Sequence, residues 1–229
     1  MPELKVLLGR QKAFALSIYF IDCIYSTLMF KKLLIISAIS SSAFISPMAM
    51  ADTSDSGLYL TAGIGKGLEY DVDGTIDGTA YSATGSTTFA GGLGLGYDFP
   101  ENNWRVEAGV SRATTDVDSV TLSGTKYEVN ENETSTALSV AVAYDFENDS
   151  KITPFVEGSI SRGWADDVDA STSYGIGVGL STPVSDGMEL WGSVGVGISE
   201  ETTDDVNGYS VKADSATAWG FSTGLRIRL

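Results

Sequence analysis

Ala218-Trp219-Gly220-Phe221-Ser222-Thr223-Gly224-Leu225-Arg226-Ile227-Arg228-Leu229 closes the chain, and its alternation decides the fold. Trp219, Phe221, Leu225, Ile227 and Leu229 share one parity; Gly220, Ser222, Gly224, Arg226 and Arg228 share the other. A period of two puts the apolar side chains on one face and the charges on the opposite one, which is a strand and not a helix. The length suits a tilted strand that crosses a bilayer, and it is long for a strand of a soluble sandwich.

Seven earlier stretches repeat the pattern. Leu58, Leu60, Ala62 and Ile64 alternate with Tyr59, Thr61, Gly63 and Gly65, and Phe89, Leu93, Leu95, Tyr97 and Phe99 alternate with Ala90, Gly92, Gly94, Gly96 and Asp98. Trp104 to Ser111, Ala137 to Phe146, Pro154 to Ile160, Tyr174 to Leu180 and Met188 to Ile198 continue it. Three connections are short, around Pro100, Asn148 and Ser185, and have the Pro, Asn, Asp and Gly chemistry of turns. The other four, 68–86, 113–133, 165–171 and 199–215, are long and polar and read as loops. The predicted fold class is all-β: an eight-stranded antiparallel up-and-down transmembrane β-barrel, with short turns on the periplasmic side and long loops outside. A lipocalin-like soluble barrel would reverse the faces, with grease inside and charge outside. Aromatic residues fall into two belts: Tyr97, Phe99, Trp104, Tyr144 and Phe146 beside the short turns, and Phe89, Trp164, Tyr174, Trp219 and Phe221 beside the long connections.

The first 51 residues read as processing signals. From Met29 come Lys31 and Lys32, an apolar run from Leu33 to Phe44 and a small-residue end at Ala49-Met50-Ala51, the parts of a secretory signal peptide over 29–51. Residues 1–28 read as a misassigned upstream start, and residues 52–229 as the barrel. Cys23, the one cysteine, falls in the upstream part, so the mature chain has neither disulfide nor thiol nucleophile. Of 14 basic and 30 acidic residues, the mature chain loses Lys5, Arg10, Lys12, Lys31 and Lys32 with Glu3 and Asp22, leaving 9 and 28 and a net charge of −19. That balance argues against nucleic acid as a partner.

These features together resemble the small eight-stranded outer-membrane barrels of Gram-negative bacteria, the OmpX/Ail and OmpA-barrel-like group known as the outer membrane protein beta-barrel domain. The resemblance spans the mature chain through Leu93-Gly94-Leu95-Gly96-Tyr97-Asp98-Phe99, Thr153-Pro154-Phe155-Val156-Glu157-Gly158 and the terminal strand. It departs at Leu229, where that family usually ends in Phe. It implies an outer-membrane location with periplasmic termini, lipid and lipopolysaccharide as surroundings, and delivery to the barrel-insertion machinery through the terminal strand. A monomer and a porin-like cell-envelope role are also implied.

Candidate sites follow from parity. Arg105, Glu107, Glu157, Glu189, Arg226 and Arg228 point inward and are expected to meet in one layer, as a salt-bridge plug or, alternatively, as the lining of a small pore. Outer-membrane barrel enzymes of this size rely on His, and this chain has none, so a non-enzymatic structural or adhesin-like role is expected. Asp71, Asp73, Asp166, Asp167, Asp169, Asp204 and Asp205 are the candidates for loosely bound Ca or Mg, with a plain solvated acidic surface as the alternative; no other cofactor is expected. Lys66, Arg112 and Arg162 end three upward strands on the outward parity, at the height of lipopolysaccharide phosphates.

Overall fold

Inside hydrocarbon every backbone N–H and C=O must find a partner within the protein, so a sheet can cross only if it closes on itself. The computed structural model describes residues 57–99, 101–165, 168–206 and 208–229, so segments 1–28 and 29–51 lie outside the described residues. Its strands are β1 (Leu58–Gly67), β2 (Tyr70–Ile76), β3 (Thr79–Phe99), β4 (Trp104–Leu122), β5 (Thr125–Asp145), β6 (Thr153–Ala165), β7 (Val168–Ser185), β8 (Met188–Ser199), β9 (Thr202–Val206), β10 (Tyr209–Ala213) and β11 (Thr217–Arg228). β3 to β8 pair in sequence, each antiparallel to the next. β11 pairs with β8 and β1, and β1 pairs with β3, which closes a ring of eight. The wall facing outward is apolar, with Leu60, Leu93, Val140, Ile176, Val194 and Leu225 all exposed. Aromatic rings gather at the short-turn end, where Trp104 meets Tyr144 edge-on at 5.1 Å and Tyr97 meets Phe99 at 5.0 Å.

β3 and β5 run 21 residues and β4 runs 19, about twice the 9 to 11 that a bilayer needs. Segments 68–86, 113–133 and 199–215 are therefore not loops in the main; they are hairpins that carry the sheet beyond the membrane, and 165–171 is strand as well except at 166 and 167, which lie outside the described residues. β2 and β3 turn at Asp77-Gly78, with φ of 47° and 79°, and β4 and β5 at Ser123-Gly124, with φ of 49° and 82°. Two consecutive positive φ values make the tight hairpin turn whose twist matches the strands. Beyond β3, pairing continues through β2 and β10 to β9.

Polarity reverses along these strands. In the membrane the apolar side chains point out, whereas beyond it Ile76, Tyr81, Ala83, Val117, Val120, Leu122 and Val211 are buried against one another. On β2 the buried Tyr70 and Val72 alternate with exposed Asp71 and Asp73. Water replaces lipid outside, so the favourable place for grease moves to the inner face. A register shift between Thr87 and Phe89 exchanges the parity of β3 where the change occurs. Val211, fully buried in this second core, can be tested alone: Val211→Ala removes two buried carbons and should cost about 1.6 kcal/mol at about 0.8 per carbon. The expected result is faster proteolysis of the outer hairpins with unchanged heat-modifiable migration of the barrel.

Candidate functional site

Eight strands leave a lumen only wide enough for side chains, so what lines it decides whether anything passes. Large inward side chains fit because glycines face them. Tyr59 lies across from Gly96, Phe155 from Gly179 and Trp191 from Gly224 in the strand registers. An added Cβ on Gly179 would fall 2.1 Å from the Phe155 ring, and one on Gly224 would fall 2.5 Å from Trp191. The small residues on the inward parity are thus the space that Tyr59, Phe155 and Trp191 occupy.

Between the rings lies a layer of charge. Arg105, Glu107, Glu157, Glu189 and Arg226 are all buried, and Arg228 is nearly so. Arg105 Nη1 donates to Asp145 Oδ2 in a short buried ion pair. Arg226 Nη1 donates to Glu189 Oε2 at 2.5 Å, directly across the β8–β11 pairing, and Arg228 Nη2 donates to Asp98 Oδ2 at 3.3 Å. Arg105 also lies over Phe155 and Arg226 over Tyr59, each 5.2 Å from the ring centre, which adds cation–π attraction. Asp98 and Asp145, which are not among the six inward charges expected from parity, supply two of the three pairs, so the layer has three cations and five carboxylates rather than three of each. Both occupy the inward parity near strand ends, and alternation alone could have found them. Oε2 of Glu107 and of Glu157 makes no hydrogen bond in this layer. Above it Glu157, Ser159, Ser193 and Ser222 border an internal cavity of about 10 Å³, room for about one water. Ser193 and Ser222 hydrogen-bond each other there at 2.8 Å.

The outward cations Lys66, Arg112 and Arg162 are all exposed. Lys66 pairs in register with Phe221, Arg112 with Gly91 and Thr136, and Arg162 with Leu138 and Thr172. Phe89, Trp164, Tyr174, Trp219 and Phe221 are exposed near that rim. Arg162 Nη1 reaches Thr172 Oγ1 at 3.5 Å.

Acidic candidates are spread over the outer sheet. Asp71 accepts from Thr84 Oγ1 at 2.7 Å on β2, while Asp204 and Asp205 sit on β9, separated from β2 by β10. Asp166 and Asp167 lie outside the described residues, as does the side chain of Asp169. Among the described residues no group of three or more carboxylates is gathered to hold a cation. Lys212 of β10 instead bridges Glu201 at 2.7 Å and Asp214 at 3.1 Å, and these hydrogen bonds hold its ammonium pKa above the ordinary lysine value.

Residues 36–190 match the family model described as "Outer membrane protein beta-barrel domain". No curated protein matches the chain by sequence. Among solved structures, Neisserial surface protein A is 16% identical, with 76% of this chain and 98% of that one covered and a TM-score of 0.49. Outer membrane protein AlkL is 13% identical, with 80% and 94% covered and a TM-score of 0.48. The outer membrane protease OmpT of Escherichia coli is 9% identical, with 80% and 100% covered and a TM-score of 0.40.

Proposed function

The chain belongs to the outer membrane protein beta-barrel domain family, and from that premise we propose that it is a closed, non-enzymatic anchor that presents an acidic β-sheet at the cell surface. The ion-pair layer is the observation that carries this reading. Three Arg–carboxylate pairs, backed by Tyr59, Phe155 and Trp191, occupy the lumen where a permeant ion would have to pass. Buried charges in such a layer hold only while paired, so the pairs keep one another in place. The chain has no His to act as a base near neutral pH, which favours a binding role over a hydrolytic one.

The extended strands support the second half of the reading. A bilayer anchor has no need of β3, β4 and β5 at twice the spanning length, nor of a second core to stiffen them. Asp71, Asp73, Asp118, Glu128, Glu131 and Asp205 are exposed on that sheet, which suits a cationic partner met at long range. In this reading the hairpins face outward, the termini lie in the periplasm, and the barrel is a monomer in lipid.

Cells carrying the protein should retain a cationic probe such as polylysine more strongly than cells carrying a form with 115–132 replaced by a tight turn. Raising salt from 0.05 to roughly 0.5 M should remove most of the difference, because exposed charges are screened beyond about a Debye length. Equal retention by both forms, each verified as a folded barrel, contradicts the platform.

A further inference from the structure

The charged layer of the lumen does not balance. Three guanidiniums face five carboxylates, and the three ion pairs engage Asp98, Asp145 and Glu189. Glu107 and Glu157 are left over, each buried with an Oε2 that has no hydrogen-bond partner. A carboxylate at membrane depth without a counter-charge is costly, and where a protein keeps one it marks a place for a positive charge.

Glu157 borders the internal cavity, and Glu107 does not. Its Oε1 lies 2.7 Å from where a Cβ on Gly177 would stand, so the carboxylate leans over β7 and away from the β5 side, where Arg105 is engaged with Asp145. Gly177, Gly195 and Gly220 are successive register partners on β7, β8 and β11, and the last two line the cavity. At Gly96, Gly179 and Gly224 a ring fills the space that the glycine leaves, whereas at Gly195 the three nearest atoms are all backbone, from Ile176 and Gly177. Bare backbone is thus the floor, and hydroxyls of Ser159, Ser193 and Ser222 stand around it. In the Ser193–Ser222 hydrogen bond one hydroxyl donates, and both oxygens keep lone pairs for a further partner.

The side-chain donor set is therefore all oxygen, with one carboxylate and no nitrogen. Such a set suits a hard cation, and a single carboxylate matches a single charge, whereas calcium and magnesium sites gather several. About 10 Å³ admits one bare ion and not its water shell. We propose that this cavity binds one small alkali cation, sodium or potassium, coordinated by Glu157 Oε2 and the Ser193 and Ser222 hydroxyl oxygens. The ion offsets part of the excess negative charge of the layer. It also ties β6 to β8 and β11, strands that β6 does not pair with. The site depends on the lumen geometry and not on the surface role; binding is read as stability, so a barrel that conducts would sink the closed anchor and leave this result readable.

Urea unfolding of the purified barrel in a non-ionic detergent, followed by tryptophan fluorescence, compares sodium, potassium and N-methylglucamine chlorides at about 0.1 M, where screening is the same in all three. One alkali salt or both should lower the unfolding constant about tenfold relative to the bulky organic cation, as a site with a Kd of about 10 mM gives. Glu157→Gln should erase the difference between salts, and in N-methylglucamine chloride it should be no less stable than the wild type, because it removes the orphaned charge. Ser193→Ala with Ser222→Ala should weaken the alkali effect, and Glu107→Gln, away from the cavity, should preserve it. Identical unfolding of the wild type in all three salts overturns the proposal, as does an alkali response that survives Glu157→Gln. Should Glu157→Gln fail to fold, the serine variant decides, and an undiminished response there overturns the proposal equally.

Discussion

Arg226→Met is expected to lower the unfolding free energy of the barrel by about 3 to 5 kcal/mol, the cost of breaking a buried ion pair from one side. Arg226 is almost wholly buried, donates to Glu189 and covers the Tyr59 ring. Methionine keeps much of the volume and removes the charge, so Glu189 is left in the lumen without its partner. Removing both partners, with Glu189→Met added, should restore a good part of the loss, because the penalty belongs to the orphaned charge and not to the missing bond. Urea titration followed by heat-modifiable gel migration reads both variants. Equal midpoints for wild type and Arg226→Met would mean that the pair contributes nothing.

Gly96→Ala should be nearly as damaging, at the upper part of the 1 to 3 kcal/mol range for overpacking. The three atoms nearest to the new Cβ all belong to Tyr59, at 2.1, 2.1 and 2.5 Å. Since Tyr59 is buried and held against Arg226, its ring has little room to withdraw. The effect should therefore depend on Tyr59: in a Tyr59→Ala background, Gly96→Ala should be close to neutral. A double-mutant cycle with no coupling between the two positions would show that the glycine is not there to make room for the ring.

The barrel was legible because lipid imposes one rule on every membrane strand, grease outward, and the alternation at Leu58–Ile64, Leu93–Phe99 and Trp219–Leu229 obeys it. The outer hairpins were not, because water imposes the opposite rule on the same strands. Tyr70 and Val72 alternate with Asp71 and Asp73 as cleanly as any membrane strand, but with the buried face inward. Signals were nonetheless present: Asp77-Gly78, Ser123-Gly124 and Asn207-Gly208 are pairs that hairpin turns favour. In the lumen, parity gave which side chains face inward, and it could not give the pairing. Asp98 is the register partner of Arg105, yet Arg105 turns to Asp145 and Asp98 takes Arg228, 130 residues away. Strand tilt and side-chain length choose those partners across a closed ring, and neither is written in a local pattern.

Single-channel recording of the purified barrel in planar bilayers tests the closed lumen most directly. With the three Arg–carboxylate pairs and the Tyr59, Phe155 and Trp191 rings in place, the wild-type protein should insert with no discrete conductance steps in 1 M KCl. Reproducible steps from the wild-type barrel, reduced by Glu157→Gln or Glu107→Gln, would show that ions traverse the charged layer and would contradict the closed anchor.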